Sequence, residues 1–392
     1  MQTKWRIILA VLLFCYTSMN AQQSNNYDEA NTNSYNLYEK GSWKELLDLG
    51  NDYLRNGGID FILLRLRMGY ASFMLGNYSQ AVNQYQAVLK KDSYNETAHY
   101  FLNLCRIYLN QPEQAGYHVK FLSKEAQEKL KPTALTGIGL EYSFKATDLV
   151  PRGNGWYTRM DLKTRLTHNL NMQHGVALFN QTIGEPKLTA VTNNNQIAIN
   201  QKEYYNKTTF NLSKNFQLVA AYHYLYTPFN NYIYNNHVGM LGVKYNSDFY
   251  SIQADAMVAK LTDSTGSQLN VQLMLFPTGN LNFYSMSTAS FQNRNSKTAF
   301  NLKQVLGAKL LKGCWIEGNI TLGKFSNFIE NDALYVYNAI DANQLKAGIT
   351  TYLTVGSKIT IQAGYTFEQR ELYKSAFLFN QHSITGGILC KL

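Results

Sequence analysis

The spacing of apolar residues changes once along this chain of 392 residues. From residue 22 to 132 they recur every three or four positions, the period of helices buried along one stripe. From Thr133 onward the period is two, so successive side chains point to opposite faces of a strand. The stretch 344–372 shows this clearly. Ala347, Ile349, Thr351, Leu353 and Val355 share one face of a first run. Across the turn "VGSK", Ile359, Ile361, Ala363, Tyr365 and Phe367 share one face of the next. The pattern predicts an α + β chain of two domains, a helical solenoid over 22–132 and an antiparallel sheet over 133–392.

In the second part, short connections are expected at 169–172, 214–217, 246–248, 277–280, 311–314 and 355–358. Longer polar ones are expected at 147–155, 185–202, 227–236, 262–267, 292–298, 325–343 and 370–378. Their alternation makes about 14 strands with both chain ends on the short-turn side, the arrangement of a transmembrane β-barrel with short turns on one rim and long loops on the other. Arg159, Asp161, Lys163 and Arg165 fall on one face of their strand, and Met160, Leu162 and Leu166 on the other. A charge facing lipid near the midplane costs roughly 2–4 kcal/mol. The polar rows are therefore expected to line a lumen and the apolar rows to face hydrocarbon. Loops 185–202 and 325–343 are long enough to fold inward as plugs.

Composition sharpens the reading. Charged residues are 16% and aromatic ones 14%, and mean hydropathy is −0.29. After residue 20 no stretch approaches the roughly 20 apolar residues of a spanning helix. Residues 1–21 read as a secretory signal, with Lys4 and Arg6 before an apolar core and Ala21 at its end. Phe14 precedes Cys15 where a lipoprotein signal wants a small residue. Cys105, Cys314 and Cys390 are odd in number and scattered, which indicates neither a disulfide framework nor a zinc site. Segment 22–132 balances 12 Lys+Arg against 12 Asp+Glu, whereas 133–392 carries 22 against 14. Candidate lumen charges are Arg159, Lys163, Arg165, Lys207, Lys244, Lys303 and Lys309, opposed by Glu141, Asp161, Asp255, Glu317 and Glu368. They either pair across strands and stiffen the wall or set up a field that favours anions. No nucleophile elbow, phosphate-binding glycine loop or zinc-spaced histidine pair occurs, so neither an enzyme nor a cofactor is expected. His168 and His174 flank a short turn and could meet across strands. His382 and Ser383 are adjacent in one strand and so point to opposite faces.

Gly41, Gly76 and Asn110 are 35 and 34 residues apart, with Gly69, Gly76, Tyr78, Ala81 and Tyr85 in a small, small, aromatic, small, aromatic order. The segment resembles a tetratricopeptide array. Arg65, Ser72 and Ser93 depart from its pattern. The resemblance implies helix packing by those five residues and a concave groove that takes a periplasmic protein or peptide. The last strand, with Thr385, Gly387, Cys390 and Leu392, resembles the C-terminal signal of outer-membrane proteins without its terminal aromatic. The whole architecture resembles the YaiO-like family and, more distantly, tetratricopeptide–barrel exporters of exopolysaccharides. It implies a bacterial outer-membrane location, lipid around the barrel, the helical domain in the periplasm, and no nucleic-acid partner. The implied function is a channel or export porin for an anionic polymer or solute. The alternative is a non-conducting scaffold whose repeats recruit an envelope assembly or secretion machine.

Overall fold

The computed structural model describes residues 26–130, 135–149, 152–184, 196–229, 231–262, 264–339, 341–373 and 375–392. The expected signal peptide, the boundary at 132/133 and most of loop 185–202 lie outside them. The chain divides into two compact units, residues 1–109 with 121–123, and 110–120 with 124–392.

The first unit is a run of antiparallel helices: α1 (26–39), α2 (Trp43–Arg55), α3 (Ile62–Met74), α4 (Tyr78–Lys91) and α5 (Glu96–Tyr108). Asn77 and Asn95 start α4 and α5 by accepting hydrogen bonds from the backbone N–H of Gln80 and Ala98. Gly41 and Gly76 end the helices before them at φ of +68° and +73°. No atom lies within 4 Å of a Cβ built on Gly76, so that glycine is required by its left-handed backbone and not by close packing. Gly69 is the reverse: a Cβ there would lie 2.8 Å from the Tyr85 ring. Tyr85 is fully buried and stacks on Phe101, and Tyr78 stacks on Tyr108. Ala81 is buried beside them. The two departures within the helices are also accommodated. Arg65 bonds Asp60 and Gln84, and the Ser72 hydroxyl donates to the Met68 carbonyl one turn back.

The second unit is a closed antiparallel barrel of 14 strands. In sequence these are β1 (Leu135–Thr147), β2 (Arg152–Arg165), β3 (Leu170–Gly184), β4 (Gln196–Asn211), β5 (Phe216–Phe229), β6 (Tyr232–Asn246), β7 (Tyr250–Leu261), β8 (Ser264–Leu275), β9 (Phe283–Arg294), β10 (Lys297–Leu311), β11 (Cys314–Phe325), β14 (Ala342–Val355), β15 (Ile359–Glu371) and β16 (Leu378–Lys391). Closure comes from β16 pairing with β1, Ile138 opposite Cys390 and Phe144 opposite Ile384. A two-stranded hairpin, β12 (Ile329–Glu330) and β13 (Tyr335–Val336), interrupts the series between β11 and β14. The unit also contains α6 (Pro112–Val119) and α7 (Lys124–Lys129).

The two faces sort as the alternation requires. On β7, Ser251, Gln253, Asp255, Met257, Ala259 and Leu261 are buried inward, while Ile252, Ala254, Ala256 and Val258 are exposed. Outward side chains include Ile384 (67% exposed), Val258 (60%) and Leu241 (58%). Among the described residues no helix is long and apolar enough to cross a membrane, and the apolar wall is made by strands.

An expectation about the connections is corrected. Strands are 12–16 residues long, longer than the roughly 9–11 residues that cross a bilayer, and three of the connections expected to be long are tight. Residues 230–231, 262–263 and 295–296 are all that separate β5 from β6, β7 from β8 and β9 from β10. Polar residues there continue the ladder, as in Tyr226 opposite Asn235 and Ser267 opposite Asn293. Polarity marks a loop only where one face of the sheet is dry. Beyond the apolar band both faces are wet, and strand residues become polar on both. The rim with the barrel's two chain ends is called the terminal rim below, and the opposite one the far rim. Among the described residues the connection between β11 and β14 remains the long one on the far rim.

Candidate functional site

The connection between β11 and β14 folds into the barrel. Its tip, Asn331, Asp332 and Ala333, has φ of +52°, +56° and +63°, a left-handed run that Asn and Asp tolerate through local hydrogen bonding and Ala does not favour. That geometry presents two carboxylates to the wall. Glu330 lies 3.3 Å from the Lys303 ammonium and 2.8 Å from that of Lys346, and accepts a hydrogen bond from the Tyr337 hydroxyl at 2.9 Å. Asp332 pairs with Lys207 at 3.1 Å and accepts from the Gln253 amide at 2.7 Å. The Tyr335 hydroxyl donates to Glu141 at 2.8 Å, with the Arg159 guanidinium over its ring. Backbone groups are held as well. Gln268 donates to the Ile329 carbonyl and accepts from its N–H, and His223 bonds the Ala333 carbonyl at 2.7 Å.

Apolar contacts complete the seat. Inward positions of β5–β7 are not polar, as a uniform lumen would require. Val219, Ala221, Leu225, Val238, Met240, Met257, Ala259 and Leu261 form one buried cluster with Ile329 and Ala333 of the hairpin. The sequence suggested a loop able to fold inward, but an apolar strip on the inner wall went unrecognised. Its trace was the group of apolar residues Phe328, Ile329, Ala333, Leu334 and Val336 inside the connection.

The predicted lumen charges take up distinct positions. Arg159 pairs with Asp161 at 2.7 Å and Glu141 at 3.2 Å, both along the wall. Lys207 and Lys303 pair with the hairpin, not across strands. Arg165 donates to the Pro112 carbonyl and to Asn171, at the terminal rim. Lys309 stands over the Trp315 ring near the same rim. Lys163 faces inward beside them, opposite Gln173. His168 and His174 do not meet: His174 bonds Tyr204 on the outer face, while the His168 carbonyl lies against Gly116. His382 bonds Tyr365 outside the barrel and Ser383 is buried inside. Among the described residues no group of three or more His, Cys, Asp or Glu could hold a metal ion.

At the terminal rim α6 lies in the mouth of the barrel. Gln114 donates to the carbonyls of Ser213 and Lys214 and accepts from Asn246, and Asn211 donates to the Glu113 carbonyl. Toward the far rim the hairpin floors a cavity of about 1370 Å³. Its lining carries Lys145, Arg152, Arg159, Arg294, Lys297, Lys303, Lys324, Lys346 and Arg370 against Glu141, Glu203, Glu317, Glu330, Asp341 and Glu368. Arg152 grips Asp341 through two hydrogen bonds, and Arg370 holds Glu368. Lys145 lies over the Phe179 ring and Arg294 binds Ser264, and among the described residues these two cations and Lys297 have no carboxylate at ion-pair distance. The vestibule is cationic, with aromatic patches.

No protein-family model matches this sequence, and no curated protein matches it. Solved structures similar to the barrel include the Pseudomonas putida toluene transporter TodX, at 7% identity over 70% of this chain and 91% of that one with a TM-score of 0.46. A Pseudomonas aeruginosa FadL homologue is 8% identical over 70% and 91% at 0.40, and a bacterial polysaccharide outer-membrane secretin 6% over 66% and 99% at 0.40.

Proposed function

We propose that the protein is a channel of the bacterial outer membrane, held closed by the hairpin 328–337, with its terminal rim and helical unit in the periplasm. The apolar outer wall supports the membrane reading. A surface of this kind in water is far larger than the patches soluble monomers expose, whereas in lipid it needs no cover and leaves no edge unpaired. The observation that carries the closure is that the hairpin is tied to both sides of the wall, Glu330 to Lys303 and Lys346 on β10 and β14, the strands flanking β11, and Asp332 to Lys207 on β4 opposite. The cationic vestibule suits an anionic polymer or solute, drawn in by field. The helical unit is the docking module, for a periplasmic protein or peptide.

One observation favours the second reading, a non-conducting scaffold. The hairpin also seals an apolar strip, so displacing it would wet Met257, Leu261 and Ile329 together. Single-channel recording separates the two. The intact protein is expected to be silent, and a variant with 329–336 replaced by a short glycine–serine link to conduct in steps, more for anions than cations. Silence of a correctly inserted deletion variant would leave the scaffold.

A further inference from the structure

Four outward side chains on four consecutive strands stand at one height. Lys202 is nine positions up β4 from Asn211, Tyr226 ten up β5 from Phe216, His237 nine from Asn246 on β6, and Lys260 ten up β7 from Tyr250. At about 3.3 Å per residue and a tilt of about 40°, that is a rise of roughly 23–25 Å above the terminal rim. The apolar band of such barrels is about 25 Å tall, so the four meet the headgroup layer on the far side. In register, Lys202 stands opposite Tyr226 and His237 opposite Lys260, and Tyr226 stands opposite Asn235, two positions along β6 from His237.

Neither ammonium has a carboxylate partner among the described residues, and no carboxylate occupies a described outward position on β3–β8. Elsewhere on the outer face of the far rim Lys324 pairs with Glu371 at 2.6 Å, and the Asp148 carboxylate accepts from the Asn380 amide. The uncompensated arc spans three strand spacings, roughly 14 Å. It is too wide for one small anion and suits a headgroup with more than one phosphate. Tyrosine and asparagine hydroxyl and amide groups between the lysines supply donors to the same oxygens. From this we infer that the outer face of β4–β7 at the far rim binds the phosphates of an outer-leaflet glycolipid, with Lys202 and Lys260 as the contacting cations.

The inference rests on the outer-membrane reading, and the test keeps the two apart. The full chain is reconstituted in phosphatidylcholine nanodiscs containing a small share of either diphosphoryl lipid A or its dephosphorylated counterpart, and retained lipid is counted by native mass spectrometry. The expected result is several-fold preferential retention of the diphosphoryl form. The double variant Lys202→Gln/Lys260→Gln should lose that preference. Lys312→Gln/Lys358→Gln, with the same charge loss in turns of the terminal rim, should keep it. Equal retention of both lipids by the inserted native chain, or equal loss in the two double variants, overturns the site. Failure of the chain to enter nanodiscs at all overturns the membrane reading and the site with it.

Discussion

Tyr85 is fully buried, yet among the described residues its hydroxyl has no hydrogen-bond partner, while its ring fills the space that Gly69 leaves open. Two opposite outcomes are expected at this one contact. Gly69→Ala forces a methyl against the ring and should lower helical stability by about 1–3 kcal/mol. Tyr85→Phe keeps the ring and removes a buried polar atom that gains nothing, and should raise stability by about 1 kcal/mol. Both are read as shifts of the thermal midpoint at 222 nm. A loss of stability in Tyr85→Phe would show that the hydroxyl is satisfied after all. Asp60 sets a pH dependence in the same unit. Its hydrogen bond from the Arg65 guanidinium, and the Lys91 ammonium beside it, hold its carboxyl below the usual range. A carboxyl depressed on folding stabilises above its unfolded pKa of about 3.9 and loses that contribution as pH falls through the folded value. The helical midpoint should therefore be flat from neutral pH down to about 5 and drop below about 4. Asp60→Asn should flatten the drop, by less than about 1 kcal/mol because the pair is partly in water.

At the scale of elements, among the described residues the hairpin and α6 are inserted in the barrel, and each has one position that tests its seat. Glu330 is the carboxylate between two lysines, so Glu330→Ala removes the counter-charge and leaves Lys303 and Lys346 unpaired. Breaking a buried pair from one side costs about 3–5 kcal/mol. That is large against the seating of one hairpin and should appear as bursts of conductance absent from the native protein. A silent Glu330→Ala would move the burden of closure onto the apolar strip. For α6, a side chain at Gly116 would run into the His168 carbonyl. Gly116→Val should push the helix from the mouth and speed proteolysis within 110–120, with the barrel strands still resistant. Unchanged cleavage there would place the helix elsewhere in solution.

At the scale of the whole molecule, the two units differ in what holds them. The helices are held by a buried apolar stripe, and the barrel by a closed ladder with its polar groups paired from strand to strand. Ala81→Arg, which puts a charge into the helical core, should unfold the first unit and leave the barrel compact in detergent, seen as unheated migration in gel electrophoresis. A single concerted melt of both would contradict that independence.

Much was legible in the sequence because alternation is local. A period of two decides which face of a strand is apolar whatever its neighbours, and so Ile359, Met160 and Arg159 were assignable to sides before any pairing was known. The positive φ at Gly41 and Gly76 was likewise marked by glycines at a fixed interval. Strand ends were not legible, since wet strands and loops share a composition. Nor were the partners of Lys207 and Lys303: their carboxylates come from a connection over 25 residues away in sequence, brought inside only by closure of the barrel around it. The sequence alone determined the sidedness of each strand, because that depends on neighbours two positions apart. The tertiary structure alone decided what fills the lumen, because that depends on which distant side chains a closed wall forces to share the same small volume.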